Sequence, residues 1–176
     1  MLKLWANHQR LLEAFEQLPV CFCHHDAFRR NLFAQQNEAG SPSTVAIDWA
    51  YVGFGRVGEE VGITTANNLI WMEVATDKAK ELDQSIFSGY IEGLQAAGWK
   101  GDVRLARLGY TVNAALVQGL AWPTVHLEFM QNPEWAHDME KSIGHSIDEV
   151  FEAWAPTQVF LLDLADEAYK LADELQ

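Results

Sequence analysis

The sequence predicts a mainly α-helical domain carrying a small β-hairpin, an α+β arrangement, and three observations carry that class. Apolar residues recur at helical spacing over long stretches, as in Leu82, Ile86, Tyr90 and Leu94. Two short apolar runs, residues 32–34 and 44–47, flank a turn rich in Gln, Asn, Gly, Ser and Pro, the signature of a hairpin. Beyond residue 77 nothing reads as strand. The 176 residues are 49% hydrophobic, with 7 Trp and 9 Phe, enough for one domain with a real core. Only 21% of residues are charged, which argues against global disorder.

The elements follow in order. Residues 3–17 read as a helix with Leu4, His8, Leu11, Leu12 and Phe15 spaced for one face, and Pro19 ends it. Val20, Cys21, Phe22 and Cys23 read as a short strand. The hairpin comes next, and helices fill the rest. One spans 59–74; another spans 78–97 and is closed by Gly98. Asp102 caps a long helix through Leu120, before Pro123. Asn132 and Pro133 supply a cap and first-turn pair. Ser146 and Glu149 fit a capping box, so Gly144 breaks that region in two. A final helix follows Pro156, with Phe160, Leu164, Ala168, Leu171 and Leu175 on its stripe. The chain is thus one domain, 1–176: a leading helix (1–19), a loop and hairpin region (20–58) and a helical region (59–176).

The loop and hairpin carry the chemistry. His24-His25-Asp26-Ala27-Phe28-Arg29-Arg30-Asn31 is followed, after the hairpin, by Ile47-Asp48-Trp49. Phosphoryl transfer needs a carboxylate to orient or receive the proton of an acceptor hydroxyl, and oxygen ligands for the Mg²⁺ that bridges nucleotide phosphates. Asp26 suits the first task; the Asn31 carbonyl and the Asp48 carboxylate suit the second. Asn31 precedes the first hairpin strand and Asp48 follows the second, so pairing the strands brings both toward one metal.

This stretch resembles the catalytic core of the aminoglycoside phosphotransferase family, whose fold is shared with protein kinases and choline kinases. The shared pattern is His-x-Asp-x-x-x-x-Asn, a hairpin return, then Ile-Asp-Trp. The resemblance implies that Asp26 is the catalytic carboxylate and contacts the substrate. It implies that Asn31 and Asp48 bind Mg²⁺, and through it the phosphates of ATP or GTP, and that His24 shapes the loop. Glu60 stands where the family usually has an Asp opening the next helix. His25 departs from the pattern, which most often has Gly there. Arg29 or Arg30 could add positive charge near the transferring group, against a plainer reading as surface ion pairs.

The resemblance covers essentially the whole chain and implies the C-terminal lobe of a protein-kinase-like fold, its later helices forming the acceptor pocket. No glycine-rich phosphate loop, Lys and paired helical Glu precede it. The expectation is therefore that the N-terminal nucleotide-binding lobe is absent, leaving the chain inactive alone or needing that lobe as a partner. The alternative reading is a non-catalytic ligand-binding module derived from such a lobe.

A competing motif lies in the same stretch. Residues 53–58 satisfy G-x-G-x-x-G after an apolar run and before a helix, with Glu73 downstream, as a dinucleotide-binding turn would. Asp48 and Trp49 sit where a buried parallel strand should be apolar, and repeated βαβ units are missing. The glycines are therefore read as a flexible loop.

Net charge is −13, and from Glu128 onward twelve Asp and Glu oppose Lys141 and Lys170. That balance disfavours nucleic acid and favours a hydroxylated small-molecule substrate, including cationic ones, beside the plain reading of solvated helix faces. No stretch is a signal peptide or reaches membrane-spanning length, which points away from a membrane. Cys21 and Cys23 are read as pointing to opposite faces of their strand, unpaired thiols of a cytoplasmic protein. A Cys-x-Cys metal site would need further ligands, for which His24 and His25 are the neighbours.

Overall fold

The computed structural model describes residues 1–36, 40–121, 123, 128 and 131–175. Helix α1, Leu2–Glu16, buries Leu4 and Leu11 and leaves Leu12 exposed. Strand β1, Val20–Cys23, follows Pro19. The hairpin forms as the sequence predicts: β2 (Leu32–Gln36) pairs antiparallel with β3 (Pro42–Ala46), Leu32 opposite Ala46. Part of its turn, residues 37–39, lies outside the described residues.

Residues 53–56 overturn the flexible-loop expectation. Gly53–Arg56 is a strand, β4, antiparallel to β1, with Cys21 opposite Gly55 and Phe22 opposite Phe54. The same pairing removes the dinucleotide-binding alternative, because that turn requires parallel strands wound by crossover helices. The edge of β1 needs a partner for its backbone N–H and C=O groups, and β4 supplies it. Glycine is required at 55 by close approach. A Cβ there would lie 2.8 Å from Glu59 Oε2, 2.9 Å from His25 Cε1 and 3.1 Å from Cys23 Sγ.

The cysteine expectation also needs correcting. Side chains alternate along a strand, so residues two apart share a face. Cys21 and Cys23 lie on one side of β1 with their sulfurs 3.5 Å apart.

Helix α2, Glu59–Ile70, is entered through Gly58 at φ +86°. It stops four residues short of the expected Val74. Met72 turns left-handed at φ +55°, Val74 N donates to Asn68 O, and the Trp154 indole takes the Ile70 carbonyl at 2.7 Å. That indole is buried and must place its N–H somewhere, and the helix end offers an acceptor. Helix α3, Ala79–Ala96, keeps the predicted stripe partly buried.

Helix α4, Val103–Val112, starts at Asp102, whose carboxylate accepts from Arg104 N. It continues as the wider π-helix Asn113–Ala121. α4 crosses the start of α2 very closely. A Cβ on Gly58 would lie 1.9 Å from Ala106 O, and one on Gly109 would lie 1.9 Å from Val57 O. These two glycines let backbone meet backbone and fix how α4 underlies the β4–α2 turn. Arg107 on α4 bonds Asp83 of α3 and Glu167 of the last helix, with its guanidinium stacked on Phe87 and Tyr110.

Helix α5, Pro133–Ile143, is capped by Asn132 and closed by Gly144 at φ +82°. Helix α6, Ile147–Glu174, begins with the predicted capping box at Ser146 and Glu149. The expectation that its helix starts only after Pro156 is wrong: α6 is continuous and Pro156 lies inside it. Proline there costs about 3 kcal/mol through a lost N–H and a ring clash. Burial of Val150, Trp154, Thr157 and Leu161 on both sides offsets it. The Ala153 carbonyl next to the break takes hydroxyl bonds from Thr157 (3.0 Å) and Thr76 (3.3 Å).

The core has two parts. One gathers Leu4, Leu11, Leu18, Val57, Ala106 and Val112; the other gathers Val61, Ile70, Tyr110, Trp154 and Leu161. Together the described elements are mainly α, with two small antiparallel strand pairs. Among the described residues, no helix is long and apolar enough to cross a membrane.

Candidate catalytic site

The loop between β1 and β2 is held from three sides. Glu60, in the first turn of α2, reaches back to it. Its Oε1 and Oε2 accept the His24 N–H at 3.1 and 2.9 Å, and Oε1 accepts the His25 N–H at 3.0 Å. Thr64, one turn on, donates its hydroxyl to Ala27 O. Phe28 buries its ring in the protein. The loop's backbone N–H groups at 24 and 25 and the carbonyl at 27 thus find charged or polar partners on α2, as an irregular, partly buried segment requires.

His24 is only 5% exposed. Its two ring nitrogens have fixed roles, because a backbone N–H can only donate and a carbonyl can only accept. Asp26 N–H donates to Nδ1 at 3.3 Å, so the ring hydrogen sits on Nε2, which donates to Ile47 O at 2.8 Å. One imidazole therefore ties the Asp26 loop to the residue before Asp48. Trp49 packs on that ring, centroids 4.5 Å apart, and anchors its own indole to Ala46 O.

Asn31 makes the second tie. Its side-chain amide donates to Asp26 Oδ2 at 2.7 Å and to Asp26 O at 3.0 Å. Both contacts are to acceptors, so the NH₂ end faces Asp26, and Oδ1 takes no hydrogen bond among the described residues. The Asn31 carbonyl accepts Ile47 N–H at 3.0 Å, which sets Asp48 next to Asn31 across the mouth of the hairpin. Asp48 is exposed, at φ +57°, and its carboxylate has no hydrogen-bond partner among the described residues. Left-handed backbone costs a non-glycine residue about 1–2 kcal/mol, and Asp tolerates it better than most.

The Asp26 carboxyl is pushed above the ordinary carboxylate range by burial first. The Asn31 hydrogen bond and the nearby His24 oppose that rise, and the negative charge of Asp48 adds to it. A carboxylate shifted this way is a stronger base than a solvated one, and it sits within electrostatic reach of a second acid.

Asn31 Oδ1 and the Asp48 carboxylate form an oxygen-only donor set, which fits a hard divalent cation such as Mg²⁺. Such an ion takes one or two protein ligands and completes its shell with water and phosphate oxygens. Among the described residues, no cluster of three His, Cys, Asp or Glu side chains is arranged to hold a metal.

The arginines stand apart from this chemistry. Arg29 and Arg30 both pair with Glu73, and Arg30 stacks over Trp71 at 4.8 Å. Glu73 is thereby spent on two cations. That supports the plainer, surface-pair reading of both arginines. An apolar groove of about 580 Å³, lined by Trp5, Leu12, Leu116 and Leu120 among others, includes none of the site residues.

Sequence reasoning placed Asp26, Asn31, Asp48 and His24 in one region. It noted Glu60 without seeing its work. It also marked His25 as a departure from Gly. His25 adopts φ +62°, the left-handed backbone that glycine fills without cost, so the backbone keeps the shape that the shared pattern implies.

A model of the phosphotransferase enzyme family matches residues 1–99, more than half of the chain and the part that holds every residue of this site. No curated protein and no solved structure matches the chain. On the family match and the ordered motif that it spans, the chain belongs to the phosphotransferase enzyme family.

Proposed function

We propose that the chain is the catalytic and acceptor-binding part of a small-molecule phosphotransferase, moving the γ-phosphoryl of ATP or GTP to a substrate hydroxyl. The observation that carries this reading is the division of labour at Asn31. Its NH₂ pins the Asp26 carboxylate, while among the described residues neither its Oδ1 nor the nearby Asp48 carboxylate takes a hydrogen bond.

In this reading Asp26 orients the acceptor hydroxyl and takes its proton as the oxygen–phosphorus bond forms and the bond to the leaving diphosphate breaks. Desolvation has already raised the basicity of that carboxylate. His24 and Glu60 touch no substrate; they hold the loop so that Asp26 keeps its direction. Mg²⁺ on Asn31 and Asp48 would neutralise phosphate charge when bound. A net charge of −13 favours acceptors that carry amines.

The test is Mg²⁺-dependent consumption of ATP or GTP by the full chain, with and without a panel of hydroxylated amines. Alongside it, Mg²⁺·nucleotide titration is followed by the Trp49 signal, isolated by subtracting Trp49→Phe. Acceptor-dependent turnover that drops at least about 100-fold in Asp26→Asn supports the reading. A Trp49 response that needs Mg²⁺ and disappears in Asp48→Asn supports the metal site. Turnover unchanged in Asp26→Asn, or a nucleotide response indifferent to both Mg²⁺ and Asp48, overturns it. Binding of acceptors with neither ATP or GTP consumption nor any Mg²⁺-dependent nucleotide response would favour the ligand-binding module instead.

A further inference from the structure

The catalytic loop emerges from a strand whose last residues form a dithiol. The Cys21 and Cys23 sulfurs lie 3.5 Å apart on one face of β1, and these are the chain's two cysteines. Cys21 stands opposite Gly55 in the strand register and is half-buried, packed against the core; Cys23 is 2% exposed. Cys21 is therefore the less buried member and Cys23 the shielded one, the arrangement of an attacking and a resolving thiol.

We propose that Cys21 and Cys23 form an oxidative modification site for small peroxides, closing an intrachain disulfide at the root of the catalytic loop. The Cys21 thiolate attacks the peroxide; the O–O bond breaks, a sulfenic acid forms and one water leaves. The Cys23 thiol then attacks that sulfur, the S–S bond forms and the hydroxyl departs as a second water. Overall the dithiol loses two electrons and two protons, and hydrogen peroxide is reduced to two waters.

Two features support the polarity of this step. The Cys23 thiol bonded to it draws Cys21 down to about 7, against the opposing effect of burial, so thiolate is present at neutral pH. Cys23 moves the other way, first through the same bond and then through burial, and stays protonated until it is called on.

The loop would feel the closure. Residues two apart on an extended strand have Cα atoms about 6.7 Å apart, near the upper limit for a disulfide, and the sulfurs must approach to about 2.05 Å. β1 must therefore shorten. The next peptide carries the His24 N–H that Glu60 holds. Oxidation is expected to loosen that bond and, with it, the loop that places Asp26.

The experiment uses the full chain, reduced and then given one equivalent of hydrogen peroxide. Free thiols are counted after denaturation, intact mass is recorded, and oligomers are checked on a non-reducing gel. The expected result is loss of both thiols together, a mass decrease of about 2 Da for the two hydrogens removed, a monomeric band and full reversal by dithiothreitol. Cys21→Ser should react with peroxide at least about tenfold more slowly than Cys23→Ser, because the thiolate is gone. Backbone amide exchange at His24 and His25 should speed up in the oxidised chain. Two thiols surviving excess peroxide, crosslinked dimers in place of the intrachain bond, or equal reactivity of the two single variants would overturn the site. Unchanged exchange at His24 and His25 would overturn its coupling to the loop.

Discussion

Removing the Glu60 carboxylate tests whether the Asp26 loop is held from α2. In the native chain one side chain satisfies two backbone donors, His24 N–H and His25 N–H, through three contacts of 2.9–3.1 Å. Hydrogen bonds to a charged acceptor contribute about 1.5–3 kcal/mol each. Glu60 is only half-buried, so the lower end applies to each donor, giving about 3 kcal/mol for Glu60→Ala. At about 2–4 °C per kcal/mol for a chain of this size, Tm should fall by about 6–12 °C. Glu60→Gln keeps one acceptor oxygen and should lose about half of that. The loss should also be local. His25 sits at φ +62°, a conformation that costs about 1–2 kcal/mol and persists only while its neighbours enforce it. Backbone exchange at 24 and 25 should therefore accelerate more than elsewhere, and any Mg²⁺-dependent Trp49 response should weaken. Glu59→Ala is the control: Glu59 accepts Arg56 N–H on β4 and touches neither loop donor, so it should lower Tm without changing exchange at 24 and 25. Melting of Glu60→Ala within about 2 °C of the parent would refute the argument, because two donors would then have lost their partner at almost no cost.

Asp26→Asn should lose phosphoryl transfer yet keep or gain stability. Burial raises the native carboxyl above its unfolded value of about 3.9, so the fold favours the protonated form and loses stability as pH rises through that window. The variant does not ionise there, so its Tm should match the parent's near pH 3 and exceed it at pH 7; a lower Tm at pH 7 would contradict the shift. Gly109→Ala should destabilise by about 3 kcal/mol, despite the roughly 1 kcal/mol that helix propensity favours, because its Cβ would lie 1.9 Å from Val57 O. Gly89→Ala, in α3 with open space around it, should instead gain up to about 1 kcal/mol; thermal melts of the two should shift in opposite directions. Arg107→Met leaves Asp83 and Glu167 facing each other and should cost about 3 kcal/mol, with partial recovery in Arg107→Met/Asp83→Asn. Failure of the second change to recover any stability in chemical denaturation would show that the loss was packing alone.

What could be read from the sequence was decided within a few residues. The Asp102, Asn132 and Ser146 caps all accept N–H groups two or three positions on, so the partners are visible in the string. The hairpin was visible for the same reason. What was missed depends on distant partners. α2 ends early because an indole 84 positions away takes its carbonyl. Pro156 fits inside α6 because the burial of residues on both sides offsets its cost, and the distant Thr76 hydroxyl bonds the neighbouring Ala153 carbonyl. The Asp26 loop falls between these cases. The types and order of Asp26, Asn31 and Asp48 are local facts, but the carboxylate that steadies them lies 35 and 36 positions from the amides it accepts.

The glycines at 53 and 55 show how a motif can be real and still mean something else. Their spacing satisfies a phosphate-binding pattern whose glycines exist to admit a pyrophosphate. Here the space beside Gly55 is filled from within the protein. His25, Cys23 and Glu59 all converge within about 3 Å of where its Cβ would be, and His25 also approaches the Cβ position of Gly53. His25 is itself the residue that stands where the resemblance implies a glycine in the Asp26 loop. A side chain added to the loop needs a side chain removed from the facing strand, and β4 supplies that room. The departure from the family pattern at 25 and the apparent nucleotide motif at 53–58 are thus two sides of one packing contact. That contact presses β4 against the loop that holds Asp26 and leaves the left-handed turn at His25 intact.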